Sequence, residues 1–182
     1  MAKIVRTISD DASVVATAID ATDIVSEIEQ IHKTSAVVTA ALGRLTIAAS
    51  LMGIGLKGEK DTLTLRMNGN GPTGALIAVA DSRGNVKSYV CNPVVEIPLN
   101  KYGKLDVAGA VGKEGTLSVV KDLGLKEPYC GQIPIASGEI AESPFSPPES
   151  NVMVLTCFPG GCTRISMPQV RGFSGSSRIS WP

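Results

Sequence analysis

Four cysteines are the residues of this chain best suited to redox or metal chemistry: Cys91, Cys130, Cys157 and Cys162. Cys157 and Cys162 are close in sequence, and a turn through the intervening Pro-Gly pair could bring their sulfur atoms together. This spacing permits a switchable disulfide, and chance spacing is the alternative. Tetrahedral zinc would need two more ligands, and Cys91 and Cys130 fall in or beside predicted strands, where inert buried thiols are common. We therefore predict no metal site here.

A second candidate site is the glycine-rich segment 69–74, which reads Gly-Asn-Gly-Pro-Thr-Gly and matches the G-x-G-x-x-G pattern of phosphate-binding loops. A dinucleotide loop opens a helix, whereas the residues after Gly74 alternate in polarity and include Ile77 and Val79. The sequence favours a hairpin turn. The alternative, a nucleotide-dependent enzyme using the Gly69–Gly74 loop, requires a helix after Gly74.

The remaining titratable residues show no catalytic spacing. His32 is the only histidine, and it falls at the predicted end of a helix. A histidine-based triad or multi-histidine metal site would depend on that one residue. The carboxylates are scattered through predicted turns, where solvated surface is the usual role; they include Asp61, Asp81, Glu96, Asp106 and Glu114. We expect no enzyme.

Length and composition indicate one ordinary globular domain. The chain has 182 residues, 43% of them hydrophobic, with 17 basic and 17 acidic side chains. This balance points to neither nucleic acid nor a membrane surface. The first ten residues carry charges inside a short apolar run and form no signal peptide, so we expect a cytoplasmic protein with reduced thiols.

Two helices are predicted near the N-terminus. Residues 22–33 form an amphipathic helix with Ile24, Ile28 and Ile31 on one face. Residues 35–56 are apolar on almost every face and end at glycines 53 and 55, which predicts a central, buried helix. A transmembrane span is the alternative, disfavoured by Arg44 at its middle.

From residue 62 the hydrophobic period changes from helical to two, which predicts strands. Strands at 62–67, 75–80 and 86–90, joined by tight turns, would form an antiparallel meander, and further strands are predicted at 94–97, 115–121 and 132–136. The predicted fold is α+β, with this meander packed against the long central helix.

After residue 142 the composition changes. Residues 143–182 contain six of the eleven prolines and eight serines, but one acidic residue and no lysine. We predict an incomplete domain at 1–142 and a low-order, irregular tail at 143–182, with a possible short strand at 151–155.

Six strings in order resemble the redox-regulated heat-shock protein 33 chaperones. They include Cys91-Asn-Pro93 and lie at residues 34–44, 69–74, 91–93, 103–107, 115–124 and 137–142. The resemblance implies a cytoplasmic holdase that binds unfolded or oxidatively damaged proteins, with a homodimer as one possible assembly. It also implies a C-terminal zinc module with four cysteines whose oxidation exposes binding surface.

This chain departs from the family pattern after residue 142. The family's aromatic-rich helix and its C-x-C and C-x-x-C zinc ligands do not follow, and Cys157 and Cys162 have a different spacing. We therefore expect a truncated chaperone without the zinc switch. A frameshifted gene, giving an inactive product, is a further hypothesis.

A holdase binds clients by burying apolar surface. The candidate client-binding residues lie on the central helix: Val37, Val38, Leu42, Leu45, Ile47, Leu51 and Met52. Sheet residues Leu63, Leu65, Leu76 and Ile77 are further candidates. For each of them, a place in the protein's own core is the competing interpretation.

Overall fold

The computed structural model describes residues 3–8, 10, 15–135, 152–158 and 161–165, the last two ranges as backbone strands. The elements run in the order β1 (Lys3–Ile8), β2 (Val15–Asp20), α1 (Thr22–His32), α2 (Ala36–Gly53), β3 (Thr62–Gly69), β4 (Ala75–Asp81), β5 (Val86–Val90), α3 (Val107–Val111), β6 (Gly115–Asp122), β7 (Tyr129–Pro134), β8 (Val152–Phe158) and β9 (Gly161–Ile165).

The larger sheet has five strands in the order β5-β4-β3-β6-β7, and every pair in it is antiparallel. Leu63, Leu65 and Met67 alternate along β3 and are each at most 2% exposed. Strand alternation puts these side chains on one face, which packs on α2. The predicted antiparallel meander against a long central helix, and with it the α+β class, is confirmed.

Helix α2 lies at the centre of the domain because it is apolar almost all round. Most of its residues are buried, including Ala41 and Gly43, which let neighbouring elements approach closely. It is the one helix in the described part of the chain that is long and apolar enough to cross a membrane. Since 72% of it is buried within the fold, it has the character of a core helix.

A second sheet has the order β1-β2-β8-β9. Strand β2 pairs antiparallel with β1 on one side and parallel with β8 on the other. Its residues Thr17 and Ile19 are buried, and Ile19 joins a small cluster with Ile47 and Leu51 of α2. This sheet therefore packs on the same helix as the larger one.

Several local predictions were wrong. Residues 94–97 form no strand, β7 begins earlier than predicted, and β1, β2 and α3 were not predicted. Ile31 is 65% exposed, because α1 presents Ile24, Val25 and Ile28 to the core and not Ile31. The predicted strand at 151–155 corresponds to β8, and β9 was not predicted. The remainder of the predicted tail lies outside the described residues.

Candidate client-binding surface

The candidate residues of the central helix lie inside the fold. Six of the seven are at most 7% exposed: Val37, Val38, Leu42, Leu45, Ile47 and Leu51. Met52 is half-buried and packs at the edge of the core. Leu63, Leu65 and Leu76 on the sheet are also buried, whereas Ile77 is half-buried. In the folded domain most of these side chains contact one another.

Polar contacts at both ends of α2 join it to segment 91–97 and to the β4–β5 turn. At its start the Ser35 hydroxyl donates to the Val95 carbonyl over 2.9 Å and accepts from the Val95 amide over 3.1 Å. The Ser35 hydroxyl therefore binds segment 91–97 and makes no capping hydrogen bond to its own helix. Near the other end, the buried Ser50 hydroxyl donates to the Gly84 carbonyl over 2.8 Å.

The glycine-rich segment 69–74 is a hairpin turn, because strand β4 follows Gly74. Its amide groups are occupied by α3 and the loop after it: Asn70 donates to the Glu114 carbonyl, Gly71 to Val111 and Thr73 to Ala110, over 2.9–3.1 Å. A phosphate loop needs such amides free to point at the anion. This arrangement removes the basis for the nucleotide-dependent alternative.

The same turn explains why glycine is needed at Gly71. A Cβ atom there would lie 2.3–2.5 Å from the main chain of residues 110–112, closer than any real contact. The hairpin and α3 therefore touch backbone to backbone. Asn70 reinforces the junction, since its side-chain oxygen accepts from the Glu114 amide over 3.3 Å.

The carboxylates stabilise turns. Asp106 accepts from the Gly109 amide and caps α3, and Asp61 accepts from the Gly58 amide. Asp81 accepts from the main chains of Arg83 and Asn85 and from the Asn85 side chain, each within 2.9 Å. The Asn85 side-chain bond is the main reason that the pKa of Asp81 lies below its ordinary value. Through these contacts, the three aspartates stabilise the turns and the helix start where they lie.

Cys91 and Cys130 are free and exposed, not buried as the sequence suggested. Cys91 follows the end of β5, and Cys130 lies on β7, at opposite edges of the five-stranded sheet. Within the described residues, no group of three or more histidine, cysteine or acidic side chains is arranged to hold a metal ion. Cys157 and Cys162 are register partners in the β8–β9 pair.

Large apolar side chains are exposed in six places on the described surface. These are strand β1, the exposed side of α1, the edges β5 and β7, and the loops before α3 and β7; the residues are Ile4, Val5, Ile8, Ile31, Tyr89, Val94, Leu99, Tyr102, Leu105, Leu123, Leu125 and Tyr129. Val94 also lines a shallow, open groove with Pro72 and Ile97. Sequence reasoning missed this surface, because the loop and edge residues have no periodic pattern.

The chain is similar to proteins named 33 kDa chaperonin. It is 48% identical over 140 residues to the 33 kDa chaperonin of Alkaliphilus metalliredigens and 51% identical over 139 residues to that of Enterococcus faecalis. A family model described as Hsp33 protein matches residues 2–144. The chain belongs to the Hsp33 family.

A solved structure agrees with this assignment. The crystal structure of the 33 kDa chaperonin (heat shock protein 33 homolog) from Thermotoga maritima has a TM-score of 0.73 and 44% identity, and the match covers 77% of this chain and 48% of that one. The alignments with the two curated relatives cover 77% and 76% of this chain and 48% and 46% of theirs. The chain thus spans about half the length of the relatives it matches.

Proposed function

We propose that this chain is a holdase-type chaperone that binds unfolded or oxidatively damaged proteins in the cytoplasm and carries out no chemical step. The observation that carries the proposal is the exposed apolar surface on a folded domain of the Hsp33 family. Its largest exposures are Leu125 at 70% and Tyr102 at 72%. Burying such surface against any unfolded segment is favourable at about 25 cal/mol per Å² and needs no particular client sequence.

The predicted residues on α2 are a separate candidate for the client surface. Because six of them are buried, they would contact a client only after α2 separates from the sheet. Hydrogen exchange of α2 amides with and without a client distinguishes the two parts. Faster exchange in α2 on client binding would support its use, and unchanged exchange would restrict binding to the outer surface.

The test of the proposed function is suppression of aggregation of thermally unfolding citrate synthase by the purified chain. We expect protection in reducing buffer, because the outer apolar groups are already exposed, and an inert protein of similar size serves as control. Absence of protection in both reducing and oxidising buffer would refute the proposal. The same assay addresses the frameshift hypothesis, since an inactive product would precipitate or fail to protect.

A redox response is the finer part of the proposal, and it rests on the Cys157–Cys162 pair. Directly opposed residues of antiparallel strands have Cα atoms about 4.5–5.5 Å apart, within the range that disulfides span. We infer that oxidant joins these two thiols. Mass spectrometry of the protein after peroxide should show the loss of two hydrogens.

The matched variants separate this pair from the other thiols. A C157S/C162S variant should lose the intramolecular bond, whereas a C91S/C130S variant should keep it. A bond retained in C157S/C162S would exclude the pair. We propose no zinc ligand among the residues described here.

A further inference from the structure

Strand β1 combines an open hydrogen-bonding edge with exposed aliphatic side chains. It is the outermost strand of its sheet and pairs with β2 along one side. Every residue from Ile4 to Ile8 is exposed, with Val5 at 57% and Ile8 at 58%. Since alternate residues of an antiparallel strand direct both main-chain groups away from the partner, about half of β1 presents them to the open side.

The apolar side chains of β1 lie on both faces of the strand. Ile4 is the register partner of the buried Ile19, so Ile4 and Ile8 belong to the face that meets α2. Val5 belongs to the opposite face, because successive side chains alternate. An added strand would therefore find apolar contacts above and below, whichever way its own side chains alternate.

The other edges with described side chains are less suited to receive a strand. β5 is one residue shorter than β1 and buries Val90, and β7 is bounded by Pro128 and Pro134, residues that lack an amide hydrogen. Prolines of this kind protect edges against pairing. Tyr89 and Tyr129 are their only large exposed apolar side chains, compared with three on β1.

We propose that β1 binds an extended segment of an unfolded client by strand addition, with apolar residues alternating with acidic ones in that segment. This inference rests on the proposed holdase function and names its site. Main-chain hydrogen bonds supply affinity without regard to sequence, as a general holdase requires. Arg6 is exposed on β1, and the strand contains no acid, which favours an acidic occupant.

The same charge disfavours a second copy of this chain as the occupant. Symmetric antiparallel pairing of two β1 strands would bring Arg6 of both copies onto neighbouring strands, with no carboxylate on either β1. Like charges on neighbouring strands are destabilising. Self-pairing would instead appear as protection of residues 3–8 that grows with protein concentration in the absence of client.

The test uses the full chain and two probes, thermally unfolding citrate synthase and labelled peptides of alternating valine and glutamate or valine and lysine. We expect the glutamate peptide to bind more tightly and to slow amide exchange in residues 3–8. A V5S/I8S variant, which removes two exposed apolar side chains without adding charge, should bind it roughly tenfold more weakly, equivalent to about 1.4 kcal/mol. A Y89S variant, altered on β5, should bind like the wild type, and thermal melting checks that both variants fold.

The outcomes separate the proposed holdase function from the proposed β1 site. If the wild type protects no client, the holdase function fails and the β1 site fails with it. If the wild type protects and V5S/I8S protects equally, the function stands and the β1 site is refuted. Exchange protection in β5 or β7 in place of β1, or concentration-dependent protection without client, also refutes it.

Discussion

Replacing Gly71 by alanine tests the backbone contact between the β3–β4 turn and α3. The new Cβ would lie 2.3 Å from the Ala110 oxygen and 2.4 Å from the Val111 carbonyl carbon. Both atoms belong to the main chain and cannot rotate away, so the turn and α3 must separate. The Gly71 amide would then lose its 2.9 Å bond to the Val111 oxygen.

The expected loss of stability has two parts. Forcing a methyl group into a packed site costs about 1–3 kcal/mol, and a lost hydrogen bond costs about 0.5–1.5 kcal/mol. We therefore expect G71A to be about 3 kcal/mol less stable than the wild type, with a Tm lower by roughly 6–12 °C for a domain of this size. Thermal and urea unfolding followed by circular dichroism measure both quantities.

Two other glycines provide matched controls. Gly103 has a φ of +71° with nothing within 4 Å of the added Cβ, so G103A should show only the left-handed strain of about 1–2 kcal/mol. At Gly131 the Cβ would meet the Tyr129 ring at an ordinary 3.6 Å, and G131A should be neutral or slightly stabilising. If G71A melts with the wild type or above G103A, the steric reasoning is wrong.

Two further contacts make quantitative predictions. The pKa of Asp81 is lowered, so its carboxylate stabilises the fold above the ordinary pKa of 3.8, and this contribution disappears as the pH falls through the folded-state pKa. The free energies of unfolding of D81N and wild type should therefore differ by less than about 1 kcal/mol at neutral pH and converge in acid. A difference that grows in acid would contradict the assignment. S35A should lose about 1–3 kcal/mol by leaving the Val95 peptide unpaired and should speed exchange of the Val95 amide, while the Thr39 amide, bonded to the Ser35 main-chain carbonyl, exchanges as before.

Hydrophobic periodicity predicted the elements at the centre of this fold, because the residues that face the core must be apolar. The uniform apolar character of α2 and the alternation of Leu63, Leu65 and Met67 follow from helix and sheet faces that meet the same core. Residues 94–97 show the limit of that reasoning. Their apolar pattern suggests a strand. The Ser35 hydroxyl, however, makes hydrogen bonds with both main-chain groups of Val95, sixty positions away in the chain.

The site was less predictable than the fold, because function here depends on what the tertiary structure leaves exposed. The glycine-rich turn matches a phosphate-loop pattern, and only its contacts with Val111 and Glu114 reveal that the amides are occupied. Similarly, no pattern in residues 3–8 indicates an edge strand. Ile8 is exposed because β1 is the outermost strand of its sheet, and Val5 is exposed because it belongs to the face opposite to α2.

Free energy distinguishes the two surfaces that could bind a client. Uncovering a buried aliphatic side chain costs about 1.5–3 kcal/mol, so exposing the six buried candidates on α2 costs roughly 9–18 kcal/mol. That range is comparable with the whole stability of a typical domain, about 5–15 kcal/mol. Binding through α2 would therefore amount to unfolding this domain, whereas the edge of β1 and the exposed loops bind without that cost.

A holdase that keeps its own fold must use the edge of β1 and the exposed loops, and the urea dependence of client binding tests this requirement. Binding through β1 should persist until the domain unfolds, and binding through α2 should strengthen as it unfolds.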